Sequence, residues 1–264
     1  MPQAIHLSGK LAVVTGASSG IGAATAHILA ARGCQVLLLA RNQERLADVV
    51  ADIRSRGGEA HAFAADLTDA QAIEHTARDI ITRHGIPDIV VNNAGAGRWL
   101  PLIETSAAEA AQMLAVPCLA AFNITREFLD GMLARGSGRI VNVTSVATRL
   151  SWPGATAYIA ARRAMEGFDA GLRADLHNSG IGVMLAVFGT VDSAYWEHNP
   201  GSRERLPVPA ALFRPLTPEA AALAIADGIE RGRRNLVKPA AYRLVFLLNA
   251  AFPALSERMM YRSD

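Results

Sequence analysis

The chain is poor in cysteine. Cys34 and Cys118 are its only two, and a single disulfide at most cannot staple 264 residues, so a secreted disulfide scaffold is excluded and a reducing, cytoplasmic compartment is expected. Neither thiol has a helix start or a basic neighbour beside it in sequence, so each reads as a small buried hydrophobe rather than a nucleophile. Charge of one sign is also missing: 26 Lys and Arg against 24 Asp and Glu leave +2, which supplies no nucleic-acid-binding surface. The late apolar runs are too short to cross a bilayer. The longest late one, Leu244 to Ser256, lies between Arg243 and Glu257 and contains Asn249 and Pro253. Met1 to Lys10 has no apolar stretch after a basic start, so no signal peptide is expected. The seven histidines, His6, His27, His61, His75, His84, His177 and His198, are scattered without ligand spacing, and no metal centre is expected. Repeats of fixed period, low-complexity linkers and shifts of composition are absent too, which predicts one domain over residues 1–264.

What is present is a 51% hydrophobic composition with 19% charge, enough for a sizeable core. Short, consecutively apolar runs alternate with segments of helical period. Leu11–Thr15, Gln35–Ala40, Ala60–Ala64, Ile89–Asn92, Arg139–Val143, Val183–Phe188 and Leu236–Lys238 read as strands covered on both faces. Helices are expected near 21–32, 42–56, 69–84, 106–134, 157–178, 217–231 and 240–262. Asp69 and Thr217 should act as N-caps, with Pro218 in a first turn and Gly33 and Gly180 at helix ends. The order strand–helix–strand demands right-handed crossovers, hence a Rossmann-like, doubly wound three-layer α/β fold on a mostly parallel seven-stranded sheet.

Two segments depart from this rhythm. Residues 193–215 hold Pro200, Gly201, Pro207, Pro209 and Pro215 with Tyr195, Trp196 and Phe213, and follow the carboxyl end of a strand, where open α/β sheets bind ligands; a substrate lid is expected. The tail near 240–262 carries Leu244, Leu247, Leu248, Ala251, Leu255 and Met259 at helical spacing. Packing on its own domain or on a partner subunit is expected ahead of contact with a membrane surface.

After the first strand runs T-G-A-S-S-G-I-G, residues 15–22, opening a helix. Gly16 turns the chain, Gly20 lets the backbone approach a pyrophosphate, and Gly22 permits close helix–strand packing, while the helix N-terminus offers free N–H groups. Gly16, Ser18, Ser19, Gly20, Ile21 and Gly22 are therefore candidate dinucleotide contacts. The second strand ends in Leu-Leu-Ala-Arg. Arg41 stands where an acid would hold the ribose 2′-hydroxyl of NAD, and a guanidinium suits a 2′-phosphate, so NADP(H) is expected over NAD(H).

With Asp66-Leu67-Thr68, N-N-A-G at residues 92–95, and Ser145 placed before Tyr158, the chain resembles the single-domain short-chain dehydrogenase/reductase family over residues 8–240. The resemblance implies that Asp66 meets the adenine amino group and that Leu67 flanks its ring. It places Asn93, Ala94 and Gly95 along the cofactor, and Gly189, Val191 and Ser193 near the nicotinamide carboxamide. N-N-A-G also partly holds the central strand. In the family a tyrosine supplies a proton, a serine orients the substrate oxygen, and a lysine four residues after the tyrosine stabilises phenolate. Tyr158 and Ser145 take the first two positions, and Arg162 stands at the third. A phenol of pKa about 10 is a sluggish base near neutrality without a neighbouring cation, and a guanidinium provides that cation but cannot join a proton relay. Pro117 replaces the asparagine that holds a relay water in the family, and should kink its helix. Phe188-Gly189 stands in for the usual Pro-Gly.

These residues predict an oxidoreductase acting between the nicotinamide and a carbonyl or secondary alcohol, with Tyr158 as general acid/base. Alternatives are a non-redox lyase, isomerase or cyclase, or a nucleotide-binding protein without catalysis, on the same scaffold. Trp99, Trp152 and Trp196 should fall near the strand carboxyl ends, which suggests a pocket for a bulky or aromatic substrate. His198 is the one histidine placed to replace a proton donor. The helices near 106–134 and 157–178 resemble those with which the family forms dimers and tetramers.

Overall fold

A computed structural model of the chain describes residues 4–207 and 213–261. Its seven strands are β1 (Leu11–Thr15), β2 (Gln35–Ala40), β3 (Glu59–Ala64), β4 (Ile89–Asn92), β5 (Gly138–Ser145), β6 (Ile181–Phe188) and β7 (Asn235–Lys238). They form one sheet in the order β3-β2-β1-β4-β5-β6-β7, and every pairing is parallel. The central strands are buried along their whole length, as strands covered by helices on both faces must be. The strand order reverses between β1 and β4, which opens a crevice above their carboxyl ends.

The helices are α1 (Gly20–Ala31), α2 (Gln43–Ser55), α3 (Ala70–His84), α4 (Ala107–Leu114), α5 (Ala120–Arg135), α6 (Thr156–Asp175), α7 (Pro218–Glu230), α8 (Tyr242–Ala251) and α9 (Pro253–Met260). Asp69 caps α3 by accepting from the Gln71 N–H at 2.8 Å, and Thr217 caps α7 by accepting from Ala220 at 3.1 Å. Two expected helices are broken, each at a proline. The helix expected over 106–134 divides at a π turn, Ala115–Leu119, where Val116 takes φ −128°, ψ 103°. Pro117 forces this, because the residue before a proline is pushed out of the helical region. The helix expected over 240–262 divides at Phe252 (φ −134°, ψ 64°), with Pro253 starting the second piece. A third expectation fails at Gly180, which does not end a helix. α6 stops at Asp175, and Gly180 (φ 83°) turns the chain into β6, where a Cβ would lie 2.0 Å from the Gly136 carbonyl oxygen.

Apolar side chains fill both faces of the sheet. Cys34 sits in one of these layers, and burial pushes its thiol up to about 12, consistent with an inert residue. A third cluster gathers above the strand carboxyl ends, built from Trp99, Trp152, Tyr158, Tyr242, Phe246 and Met260. The tail therefore packs on its own domain, chiefly through buried Tyr242, Phe246 and Met260, with Val245 against the same cluster and Asn249 Nδ2 donating to the Arg149 carbonyl at 3.1 Å. Its other face remains outside: Leu247 is 68% exposed and Leu255 59%.

Candidate active site

The turn after β1 is held by side chain to backbone. Thr15 Oγ1 accepts from the backbone N–H groups of Asn93 and Ala94, both at 3.0 Å, and Asn93 Nδ2 donates to the Thr15 carbonyl at 3.0 Å. Behind them Asn92 Nδ2 donates to Thr125 Oγ1 and Asn142 Oδ1, and Asn142 Nδ2 passes the chain on to buried Asp169. The segment 92–95 thus holds the sheet together while its later residues line the crevice. Gly16 has φ 64°, and a Cβ on Gly22 would fall 2.2 Å from the Gly16 carbonyl oxygen. That contact presses α1 against the turn. The first turn of α1 has no acid, and the Ser19 side chain does not cap it. Its N–H groups and positive helix end open on the cavity without compensation, which fits a diphosphate.

A cavity of about 800 Å³ lies over this turn. Of the residues expected at the site it is lined by Ser145, Tyr158 and Arg162, by Gly16, Ser18, Ser19, Gly20 and Ile21, by Arg41, Asp66 and Leu67, by Asn93, Ala94 and Gly95, and by Gly189, Val191 and Ser193. Gly22 is the exception: it is buried beneath the turn and acts through packing.

At one end of the cavity β2 runs into α2. Arg41 and Asn42 line it there, and Arg45, one turn into α2, lies with its guanidinium 3.4 Å from the ring of His198. His198 therefore belongs with Arg45 and not with the expected replacement proton donor's place beside Tyr158. Arg45 escapes a reading of the sequence, yet a signal exists. Two arginines around a helix N-terminus oppose the helix dipole, an arrangement that an anion would relieve. Asp66 Oδ1 accepts from the backbone N–H of Thr68 at 3.0 Å and from its hydroxyl at 2.9 Å; these bonds, with the charge of Arg41, hold its carboxyl below the usual range.

At the other end stands the phenol. Tyr158 and Arg162 lie one turn apart on α6, so their side chains share a face. The Arg162 guanidinium carbon is 4.9 Å from the centroid of the Tyr158 ring, and a Cβ on Gly95 would lie 2.8 Å from Arg162 Nη2. The side chain is buried, its Nε has no partner, and among the described residues no carboxylate pairs with it. A buried cation without an anion, laid along the N-N-A-G backbone, has its remaining donors free for ligand hydroxyls. Ser145 ends β5, and its Oγ accepts from the Ala147 N–H at 3.3 Å. Pro117 is buried in the π turn and brings no side-chain donor.

Aromatic rings form the wall. The Trp99 centroid lies 5.2 Å from that of Tyr158, 5.0 Å from Trp152 and 5.5 Å from Trp196. The tryptophans thus fall where the sequence suggests. Tyr195 Oη donates to the Gly97 carbonyl at 2.5 Å and accepts from Trp99 Nε1 at 3.1 Å, and Ser202 Oγ accepts from the Trp99 backbone at 2.9 Å. Burial pushes the Tyr195 phenol well up, so it remains a donor and cannot serve as a second base. The expected lid is described at 193–207 and 213–215 and is bonded to the loop after β4 through Tyr195 and Ser202; residues 208–212, with Pro209, lie outside the described residues. Leu206, Tyr242 and Met260 complete the lining. The last two come from the tail, more than eighty positions from Tyr158, and no local pattern announces them.

The sequence profile described as short chain dehydrogenase matches residues 10–203. A probable oxidoreductase, EphD, of Mycobacterium tuberculosis is 35% identical over 189 residues, 71% of this chain; the match spans about a third (32%) of that relative's own length. Among solved structures, a short chain dehydrogenase/reductase from Burkholderia phymatum in complex with NAD superimposes with a TM-score of 0.87 at 25% identity, over 98% of this chain and 99% of the other. A metagenomic short-chain oxidoreductase in complex with NADP gives 0.74 at 31% identity, over 88% and 98%.

Proposed function

The chain belongs to the short-chain dehydrogenase family, and from that membership we propose that it is an NADP(H)-dependent oxidoreductase acting between the nicotinamide and a bulky, apolar carbonyl or secondary alcohol. The observation that carries the reading is the convergence of Tyr158, Ser145 and a buried Arg162, which no carboxylate among the described residues pairs with, on the cavity that also holds the uncapped start of α1. Gly16 to Ile21 would hold the diphosphate, Asp66 and Leu67 the adenine, Arg41 and Arg45 a 2′-phosphate, and Arg162 and Gly95 the nicotinamide ribose. When bound, the nicotinamide supplies or accepts the hydride.

The remaining work falls to side chains. The Ser145 hydroxyl orients the substrate oxygen, and the Tyr158 hydroxyl delivers a proton to it during reduction, or takes one during oxidation. Arg162 places a fixed positive charge beside the phenol and so favours the phenolate left behind. A guanidinium retains its protons at working pH, so reprotonation of Tyr158 reaches it through ligand hydroxyls and solvent rather than through residue 162. The rings of Trp99, Trp152 and Trp196 exclude water and carry no formal charge, which suits an uncharged apolar substrate. The exposed apolar side chains of Leu119, at the end of the π turn, and Phe122, in α5, support a homodimer or homotetramer.

NADPH consumption across a panel of aromatic and aliphatic ketones and aldehydes tests the reading. Tyr158→Phe should lower kcat by about 10²- to 10⁴-fold without weakening NADPH binding. Turnover equal to wild type in that variant, or product formed with no change in nicotinamide absorbance, would remove the proposed chemistry.

A further inference from the structure

The single helical turn of the lid, Tyr195–His198, sends two side chains to different parts of the cavity. Tyr195 joins the substrate wall through Gly97 and Trp99. His198, three residues on, meets Arg45 Nη1 at 3.4 Å where β2 runs into α2. Ser193, just before this turn, lies against the dinucleotide loop, since a Cβ on Gly20 would be 3.3 Å from its own Cβ. The lid therefore touches the cofactor cradle at two points and the substrate wall at two more.

Arg41 and Arg45 flank the N-terminus of α2, the end of a helix that disfavours cations; Glu44 is the acid of its first turn, yet among the described residues neither arginine has a carboxylate within ion-pair distance. The imidazole and both guanidiniums carry N–H groups that can donate to an anion set among them. Resting on the NADP(H) reading above, we propose that His198 is the lid's share of a clamp with Arg41 and Arg45. In this clamp the 2′-phosphate of the adenosine ribose selects the cofactor and also holds the lid closed, and through Tyr195 and Trp99 sets the substrate wall. NADP(H) and NAD(H) then differ in lid position as well as affinity, and the KM for an apolar substrate depends on which of them is bound.

Calorimetric titration of the full chain with ADP and with 2′,5′-ADP tests this without turnover. Wild type should bind 2′,5′-ADP at least about tenfold more tightly than ADP. His198 is exposed, so its replacement leaves the core untouched. His198→Ala should lose about fivefold to tenfold for 2′,5′-ADP and nothing for ADP, and His198→Lys should recover the loss. Limited trypsin cleavage after Arg203 and Arg205, which lie in the lid, should be slowed by 2′,5′-ADP more than by ADP in wild type, and equally by the two in His198→Ala. A wild-type preference that His198→Ala retains in full, with protection unchanged, overturns the clamp and leaves the cofactor reading standing. Equal binding of the two probes by wild type overturns both.

Discussion

Gly22→Ala probes the packing that brings the start of α1 to the phosphate turn. The new Cβ would lie 2.2 Å from the Gly16 carbonyl oxygen, 2.7 Å from its carbonyl carbon and 2.6 Å from Asn93 Nδ2. The nearest of these is backbone, so no rotamer change relieves the clash, and helix and turn must separate by about 1 Å to restore ordinary contact. Overpacking of this kind costs about 1–3 kcal/mol. At roughly 3 °C per kcal/mol for a chain of this size, the melting temperature should fall by about 3–9 °C. The same separation draws the helix N–H groups away from a diphosphate, and losing one charge-assisted hydrogen bond weakens ADP binding by about tenfold or more. Gly171→Ala is the control. It lies in α6 with nothing within 4 Å of a new Cβ, and should gain about 0.5–1 kcal/mol with ADP binding unchanged. Scanning calorimetry and ADP titration of both variants decide the matter. Wild-type melting and wild-type affinity in Gly22→Ala would refute the packing argument.

Further outcomes follow from the lid, the tail and helix α4. Ser202→Ala leaves the buried Trp99 N–H without its acceptor at 2.9 Å; it should cost about 1–3 kcal/mol in chemical denaturation and raise KM for apolar substrates more than it lowers kcat. Met260→Ala removes part of the cavity wall contributed by the tail, and should shift preference toward longer or wider substrates in a ketone series, while an unchanged preference would take the tail out of the pocket. Glu109 is held down to about 2, first by its hydrogen bond from Arg98 and then by those from Ser106, against an ordinary 4.5. Its carboxylate therefore stabilises the fold above about pH 4.5, and that contribution fades as pH falls toward 2. Glu109→Gln should lose less stability than wild type across that acid window, as melting temperatures at stepped pH will show.

The strands were legible because buried parallel strands are consecutively apolar, and β1, β2 and β4 fall at the expected residues. Helix extents were less legible where a proline sits inside a periodic run: the period continues across Pro117 and Pro253 while the backbone does not. The glycine turn stood out because its chemistry depends on a short fixed spacing, while Tyr158, Ser145 and Arg162 stood out through the resemblance to the short-chain dehydrogenase/reductase family. Arg45 did not, since a helical arginine reads as solvated until its position at a helix start is weighed. The walls supplied by Tyr242 and Met260, and the Asn92–Asn142–Asp169 chain beneath the site, depend on contacts between distant segments that no periodicity encodes.

The central claim is that a fixed cation at residue 162 sustains phenol chemistry at Tyr158, and kcat for NADPH-dependent ketone reduction by Arg162→Met tests it most directly. Methionine preserves much of the apolar bulk and removes the charge. The account predicts a fall of about 10²-fold or more, with Arg162→Lys remaining active. Turnover at the wild-type rate in Arg162→Met would contradict it.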